Sequence, residues 1–519
     1  MRRRHVLRPT RWGSVDPLVV AVGAVALVTY ALHGFDGLLS RDLSLYSYAG
    51  QQVVEGVPPY QGVLNRAGPL AHLIPAVGVG LARLGGFDDL LGMRVLFMLI
   101  ATLCTCTVYA LGRDVFRSRL AGLVTAGTFL TFAGFVHYAS NGPREKTPMT
   151  LFVVCALWAV TKQRWFTAGL FVSLATLCLQ IAFFPSFTAA VAGALVLAAG
   201  QRVRALVRVA LGGAVPAVAC LVYFALVGAL RDALDAFLLI NVRYTEPDPL
   251  LAKLGENADD LWAAYGVSVW LLLAGSVALL VISFVLGREK VARGLPSTPV
   301  LGAFALALVF GLLWNLKDYD AWPDLFPLLP LAAVGIGALF VTATHRLSRR
   351  SAMLVAGALL VAMTATAVRG SVTTRDDRLV TQRESVAAVL GELPPSATVT
   401  SIEAPQPLVL ARLTNPTRHQ MFSGGLPLYV DDTWPGGLEA FRRQLVEQPT
   451  TLIAIGDKMS RTWGEGIAPD YQYIGEAPGW YWYARASLGE STLSSLRDAA
   501  GFDPADERAR PAPSVAQPE

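Results

Sequence analysis

The chain has 519 residues, 54% of them hydrophobic and only 16% charged, with a net charge of +5. Soluble domains carry about 25% charged residues, and a soluble chain of this length would split into several polar-surfaced domains, so an ordinary cytosolic enzyme is excluded. The net charge says less than the placement of the charges.

Apolar runs of bilayer length recur along the chain. They predict transmembrane helices at 17–35, 90–112, 119–139, 148–161, 165–183, 185–200, 207–229, 264–286, 297–314, 323–344 and 352–368. A further apolar stretch, 69–85, is shorter and holds Pro75 and Arg83. Lys/Arg clusters decide where it goes. If 69–85 does not span, the clusters at 2–11, 113–119, 162–164, 202–208, 288–293 and 345–350 all fall on one side. If it spans, every later cluster flips outward. The stretch is therefore expected to be a re-entrant or interfacial helix on the outer face. About eleven spans then put the N-terminus in the cytoplasm and the C-terminus outside. The first span is long and lacks a small-residue cleavage site, so it reads as a signal anchor. Five cysteines (Cys104, Cys106, Cys155, Cys178, Cys220) lie in apolar stretches. Their odd number and lack of metal-type spacing argue against a disulfide framework or a zinc site.

After Arg369 the composition becomes that of a soluble domain. A helical stretch (376–392), ATVTSIE, an amphipathic helix (437–447), TLIAIG (451–456), YQYIGE and GWYWYAR suggest a small α/β domain. Trp480, Tyr481, Trp482 and Tyr483 alternate across a strand, as core or as a stacking surface for glycan. The expected fold is an α-helical polytopic membrane protein with a small α/β soluble C-terminal domain. Its expected parts are a cytoplasmic N-terminus (1–16), a membrane domain (17–369) with an outer first loop (36–68), an extracytoplasmic α/β domain (370–487) and a disordered tail (488–519).

No Rossmann glycine pattern, P-loop, HExxH or GxSxG is present, which disfavours nucleotide and hydrolase chemistry. Ionisable residues at a membrane boundary are costly and tend to be functional. The first outer loop mixes Asp36, Arg41, Asp42 and Glu55 with Tyr46, Tyr48 and Tyr60. If 42–55 is helical, Asp42 and Tyr46 share a face, where a carboxylate beside aromatic rings can hold a sugar and take a proton from its hydroxyl. Alternatively Asp42 is a helix cap in a solvated loop. Arg66, Lys146, Arg243 and Lys317 are candidate phosphate ligands, or snorkelling interfacial cations. Tyr244 and Tyr319 stand beside two of them as hydrogen-bonding partners, and His137 reads as an interfacial polar residue. The acidic loop 231–262 is a lid or a solvated connection.

An acidic residue four positions before a tyrosine, then EGVPPY and NRAGPL entering a short apolar helix, resembles the glycosyltransferase C superfamily. The loop SNGPREKT (140–147) and the segment 315–338, a tyrosine followed by a proline-rich helix start, agree with that resemblance. It implies a polytopic enzyme that takes sugars from polyprenyl phosphates, as protein mannosyltransferases and lipid A aminoarabinose transferases do. Carried over, Asp42 matches the first-loop catalytic aspartate, Glu145 the second-loop acid, and Arg66 the basic residue before the Pro-Leu step. Two departures stand out: Asp42 is followed by Leu43, and Glu145 is flanked by Arg144 and Lys146. Such mixed charge argues against a divalent metal held by carboxylates. The expected activity is a metal-independent, inverting transfer of a hexose or pentose from a polyprenyl-phosphate donor to a glycan, lipid or protein acceptor of the cell envelope. No cofactor and no nucleic acid are expected. A transporter or lipid flippase would need inverted repeats and mid-span charges, of which Arg94 comes nearest. A noncatalytic scaffold would leave the first loop without a task.

Overall fold

The computed structural model describes residues 16–284, 298–448, 450–467 and 470–502. Residues 1–15, with the basic cluster at 2–11, and the cluster at 288–293 lie outside the described residues.

The first helices are α1 (Pro17–Leu32), α2 (Arg41–Val54), α3 (Leu70–Gly85), α4 (Asp89–Phe116), α5 (Arg119–Thr131), α6 (Ala133–Asn141) and α7 (Lys146–Thr161). The bundle continues with α8 (Trp165–Cys178), α9 (Phe183–Leu195), α10 (Ala199–Leu226), the short α11 (Leu230–Leu234) and a π-helical stretch Asp235–Tyr244. It closes with α12 (Leu254–Tyr265), α13 (Ser268–Phe284), α14 (Thr298–Lys317), a 3-10 turn Trp322–Leu328, α15 (Leu329–Thr344) and α16 (Arg349–Thr373). Five described helices are long and apolar enough to cross a bilayer, or seven if α5–α6 and α12–α13, bent by 72° and 105°, each count as one span. That is short of the expected eleven. The remaining apolar helices of 14–16 residues reach only about 21–24 Å against ~30 Å of hydrocarbon. The run predicted at 119–139 is thus two helices broken at Phe132, and the last helix continues beyond 369 to Thr373.

Ion pairs sort the loops into two ends. At one end Asp16 accepts from Tyr109 (2.9 Å), Arg119 (3.1 Å) and Arg113 (3.3 Å), and Asp114 pairs with Lys162 (2.8 Å). At the other, the segments around 42, 66, 144–146, 248 and 318–324 meet one another. Both ends of α3 lie at this second end. Arg83 pairs with Glu55 and Asp89 (3.1 Å each), Asp89 also takes Arg412 of the C-terminal domain (3.1 Å), and Arg66 lies against Gly424. The helix therefore runs along that end of the bundle. Elsewhere the helices approach closely: a Cβ at Gly335 of α15 would collide with the Gly275 carbonyl of α13, and one at Gly275 with the Ala332 carbonyl.

The C-terminal domain is a four-stranded sheet of β1 (Val399–Ile402), β2 (Leu452–Gly456), β3 (Tyr471–Ala477) and β4 (Trp480–Arg485), in the order β1-β2-β4-β3. β1 and β2 are parallel and the other pairs antiparallel. Its helices are α17 (Arg378–Gly391), α18 (Gln406–Ala411), α19 (Leu426–Thr433), α20 (Gly437–Glu447), α21 (Ser460–Ile467) and α22 (Glu490–Ala499). Trp480 and Trp482 fill the core on one face, with Val386, Val389, Leu493 and Leu496; Tyr483 packs into the other with Phe441 and Trp463. The tail expected from 488 is corrected accordingly: 490–499 is a helix held by buried Leu493 and Leu496. Residues 503–519 lie outside the described residues. The first of these cores extends without a break into Leu43, Tyr48 and Leu64 of the first loop and Ile240 of the π-helical stretch. Hydrogen bonds reinforce this seam: Gln382 bonds both backbone groups of Leu39 (2.9 and 3.1 Å), and the Asn415 N–H donates to Tyr48 (2.9 Å).

Candidate active site

The chain enters α2 through residues 34–40. Arg94 of α4, fully buried, donates from Nη2 to the Gly37 carbonyl (2.8 Å) and from Nη1 to that of Phe35. Gly37 itself is pressed against Asn141, whose side chain a Cβ would strike. Arg94 therefore anchors the first loop to the bundle, and glycine at 37 lets that loop touch the end of α6. Ser40, not Asp42, caps the helix, with its hydroxyl 3.5 Å from the Leu43 N–H. The capping reading of Asp42 is overturned. Asp42 sits in the first turn, where the helix dipole favours a carboxylate and leaves its oxygens to other partners.

Those partners are guanidiniums. Asp42 Oδ1 accepts from Arg41 (Nε and Nη2, 3.0 Å each), and Oδ2 accepts from Arg144. Arg144 in turn places Nε 3.4 Å from Glu145, while its guanidinium lies over the Tyr138 ring. Arg41 continues to Glu403 of the C-terminal domain (3.0 Å) and to the Ser423 hydroxyl (3.3 Å). The result is an alternating row: Glu145, Arg144, Asp42, Arg41, Glu403. Burial alone would raise the Asp42 carboxyl, but Arg144 and Arg41 outweigh it and hold it well below the usual carboxylate range. Its side chain is nonetheless 30% exposed, against 2% for both Glu145 and Glu403. Tyr46, one turn along α2, is buried; burial and the negative charge of Glu145 push its phenol well above the ordinary value.

Three buried polar atoms of the 140–147 segment, Ser140 Oγ, Asn141 Oδ1 and Thr147 Oγ1, have no hydrogen-bond partner, while Arg144 Nε and Glu145 Oε2 have only their 3.4 Å ion pair with each other. Buried polar groups are nearly always satisfied, so a run of orphans beside a half-open carboxylate marks a place for a polar ligand. A second arm faces it. Lys146 Nζ lies 2.5 Å from Asp324, which also accepts from the Asp320 N–H (2.9 Å). Arg66 bonds Thr245 (3.0 Å) and pairs with Asp320 (3.5 Å). Tyr319 is buried in the same turn with an unpartnered hydroxyl, as are Trp314 Nε1 and Asn315 Oδ1 just before it.

The structure thus brings Asp42, Tyr46 and Glu145 together, and gathers Lys146, Arg66 and Tyr319 around the 318–324 turn. It does not bring in the other expected residues. Tyr60 is fully buried, donates to the Ala67 carbonyl (2.8 Å) and packs on His72. Arg243 pairs with Asp432 (3.3 Å), and Lys317 lies over Trp314, 5.3 Å from the ring centre. His137 packs against His33 and Trp322. The 231–262 segment is tied down at several points: Asp232 pairs with Arg418 (2.5 Å), Tyr244 bonds Asp432, and Asp260 accepts from the Trp322 N–H (3.1 Å). Sequence reasoning missed Arg41, Arg144, Asp324 and Glu403. Arg144 and Asp324 stood inside quoted segments, and an unpaired reading of each charge hid them. Among the described residues, no three His, Cys, Asp or Glu side chains gather in a way that suits a metal ion.

No family model matches this chain, and no curated protein matches its sequence. Solved structures do. ArnT from Cupriavidus metallidurans in the apo state aligns with a TM-score of 0.60 at 13% identity, over 94% of this chain and 99% of that one. The same protein bound to undecaprenyl phosphate gives 0.60 at 12%, over 92% and 99%. The chain shares the fold of these structures, as the resemblance to the glycosyltransferase C superfamily implies. An Archaeoglobus fulgidus oligosaccharyltransferase in complex with zinc and sulfate (TM-score 0.51, 14% identity, 90% and 73% covered) shares it. So does the mycobacterial arabinofuranosyltransferase AftD (0.51, 12%, 91% and 40%). At these identities the likeness is one of architecture. Within this fold, the alternating ion row lies where the segments around 42 and 144 meet the C-terminal domain.

Proposed function

We propose that the protein is a membrane glycosyltransferase that moves a sugar from a polyprenyl-phosphate donor to a cell-envelope acceptor, with Asp42 as the base. The observation that carries this reading is the half-open Asp42 carboxylate, ringed by fixed cations and by orphaned polar atoms. The acceptor hydroxyl gives its proton to Asp42 as its oxygen bonds to the anomeric carbon. The bond from that carbon to the phosphate oxygen breaks, and the electron pair leaves on the phosphate. A phosphodiester monoanion becomes a polyprenyl phosphate dianion, so positive charge must be waiting for it. Arg144, Lys146 and Arg66 supply that charge, and attack from the opposite face inverts the anomeric centre. The phosphate competes with Asp42 and Glu145 for Arg144, which loosens Oδ2 and makes Asp42 a stronger base once the donor is bound. A divalent cation at Asp42 would face Arg41 and Arg144 at close range, so the transfer relies on these side chains. The basic segments 113–119, 162–164, 202–208 and 345–350 support the positive-inside assignment, which puts the site at the extracytoplasmic face.

Heat stability of the purified protein tests the reading. A ligand present at 100 times its Kd stabilises by about 2.7 kcal/mol. Undecaprenyl phosphate and one member of a panel of undecaprenyl-phosphate-linked mannose, glucose and arabinose should raise the melting temperature. Equal shifts with undecaprenol, which has no phosphate, would contradict it.

A further inference from the structure

Glu403 leaves the sheet at the carboxyl end of β1, and its place is heavily constrained. It is 2% exposed and has φ +56°, a left-handed conformation that a glutamate adopts only when its surroundings hold it there. Its N–H donates to the Gln420 carbonyl (2.7 Å), and its own carbonyl is so close to the end of β2 that a Cβ at Gly456 would collide with it. One side-chain oxygen accepts from the Phe422 N–H; the other takes Arg41 Nη1 at 3.0 Å. The remaining edge of the same guanidinium, Nε and Nη2, lies on Asp42 Oδ1.

One planar cation is therefore shared between a fixed carboxylate of the C-terminal domain and the carboxylate of the candidate base. A guanidinium held on both edges cannot swing, and the charge it offers Asp42 depends on how much Glu403 takes up. Among the described residues, the charged and titratable groups that face Asp42 are Arg41 and Tyr46 from α2, Tyr138 from α6, Arg144 and Glu145 from the segment entering α7, and Glu403 through Arg41. Strip Glu403 of its charge, and Arg41 falls wholly to Asp42.

We propose that Glu403 is a positioning residue for sugar transfer: from the C-terminal domain it fixes Arg41 and draws off part of its charge, so that Asp42 stays basic enough to accept the proton of the acceptor. The inference rests on the reading of Asp42 as the base. It makes docking of the C-terminal domain a condition of turnover, without contact between Glu403 and substrate.

Glu403→Gln tests it, because glutamine keeps the length and the acceptor for the Phe422 N–H while losing the charge. With the full-length protein and undecaprenyl-phosphate-linked mannose, glucose and arabinose as probes, kcat should fall about tenfold while the donor KM stays within about twofold. Losing a negative charge near Asp42 makes that carboxyl more acidic, so the acid limb of the kcat–pH profile should move to lower pH. A purely structural role would not move that limb. In an Arg41→Gln background the same substitution should have no further effect on kcat. Arg41→Lys, which cannot span both carboxylates, should reproduce the loss and serves if Glu403→Gln fails to fold. Asp42→Asn is measured beside them. If it is inactive while Glu403→Gln and Arg41→Lys keep wild-type kcat and pH profile, the inference about Glu403 alone falls. If Asp42→Asn is active, the base reading falls and takes this inference with it.

Discussion

Arg144 serves two carboxylates at once, Asp42 and Glu145, from a position that is 8% exposed. Lysine would keep the charge and lose the planar fork, so it can meet only one of the two acids at a time. Arg144→Lys should cut turnover by about 10²-fold while the protein still folds; steady-state rates beside a melting curve check this, and an unchanged kcat would remove Arg144 from the mechanism. Of the candidate site, Asp42 and Tyr46 were legible through helical spacing, and Glu145 through the resemblance alone. Arg41 and Arg144 were visible as neighbours yet silent as partners. A charge next to an acid in sequence says nothing about which acid it meets across the fold. Glu403 left no signal at all, since its link to Arg41 spans 362 positions.

At the scale of elements, hydropathy found the apolar helices and missed where they break. The α5–α6 bend of 72° at Phe132 carries no proline and no charged residue to betray it, yet it sends α6 toward the site so that Asn141 meets Gly37. The α22 helix was hidden for the opposite reason. Its Ser-rich composition reads as tail, while its Leu493 and Leu496, three apart, are buried. Close packing of α13 on α15 is equally silent until the helices are placed. Gly335→Val would drive a side chain into the Gly275 carbonyl, and overpacking of this kind costs about 1–3 kcal/mol. The expected outcome is a lower melting temperature in detergent; an unchanged value would show that the two helices can separate freely.

The molecule as a whole is a helical bundle with a docked sheet domain, joined through one continuous apolar core and the Asp42–Arg41–Glu403 row. Its C-terminal domain also carries a pH sensitivity. His419 is buried against Trp434 and Phe441, and burial, helped by Arg418, lowers its imidazole from 6.5 to about 4. The unfolded chain therefore binds this proton first, so stability is full above about pH 6.5 and is lost as pH falls toward 4. His419→Gln should flatten that decline in melting temperature; a parallel decline would assign it to other groups. Charge alone grouped the 113–119 and 162–164 segments, and the Asp114–Lys162 pair joins them. The seam between domains was not legible, since its apolar contacts look like any core. Transfer by Asp42→Asn against wild type, with undecaprenyl-phosphate-linked mannose, glucose and arabinose, tests the central claim most directly. The account predicts that the wild type releases undecaprenyl phosphate from one of these donors while the equally stable variant is slower by about 10²–10⁴-fold. Release at the wild-type rate by Asp42→Asn would contradict it.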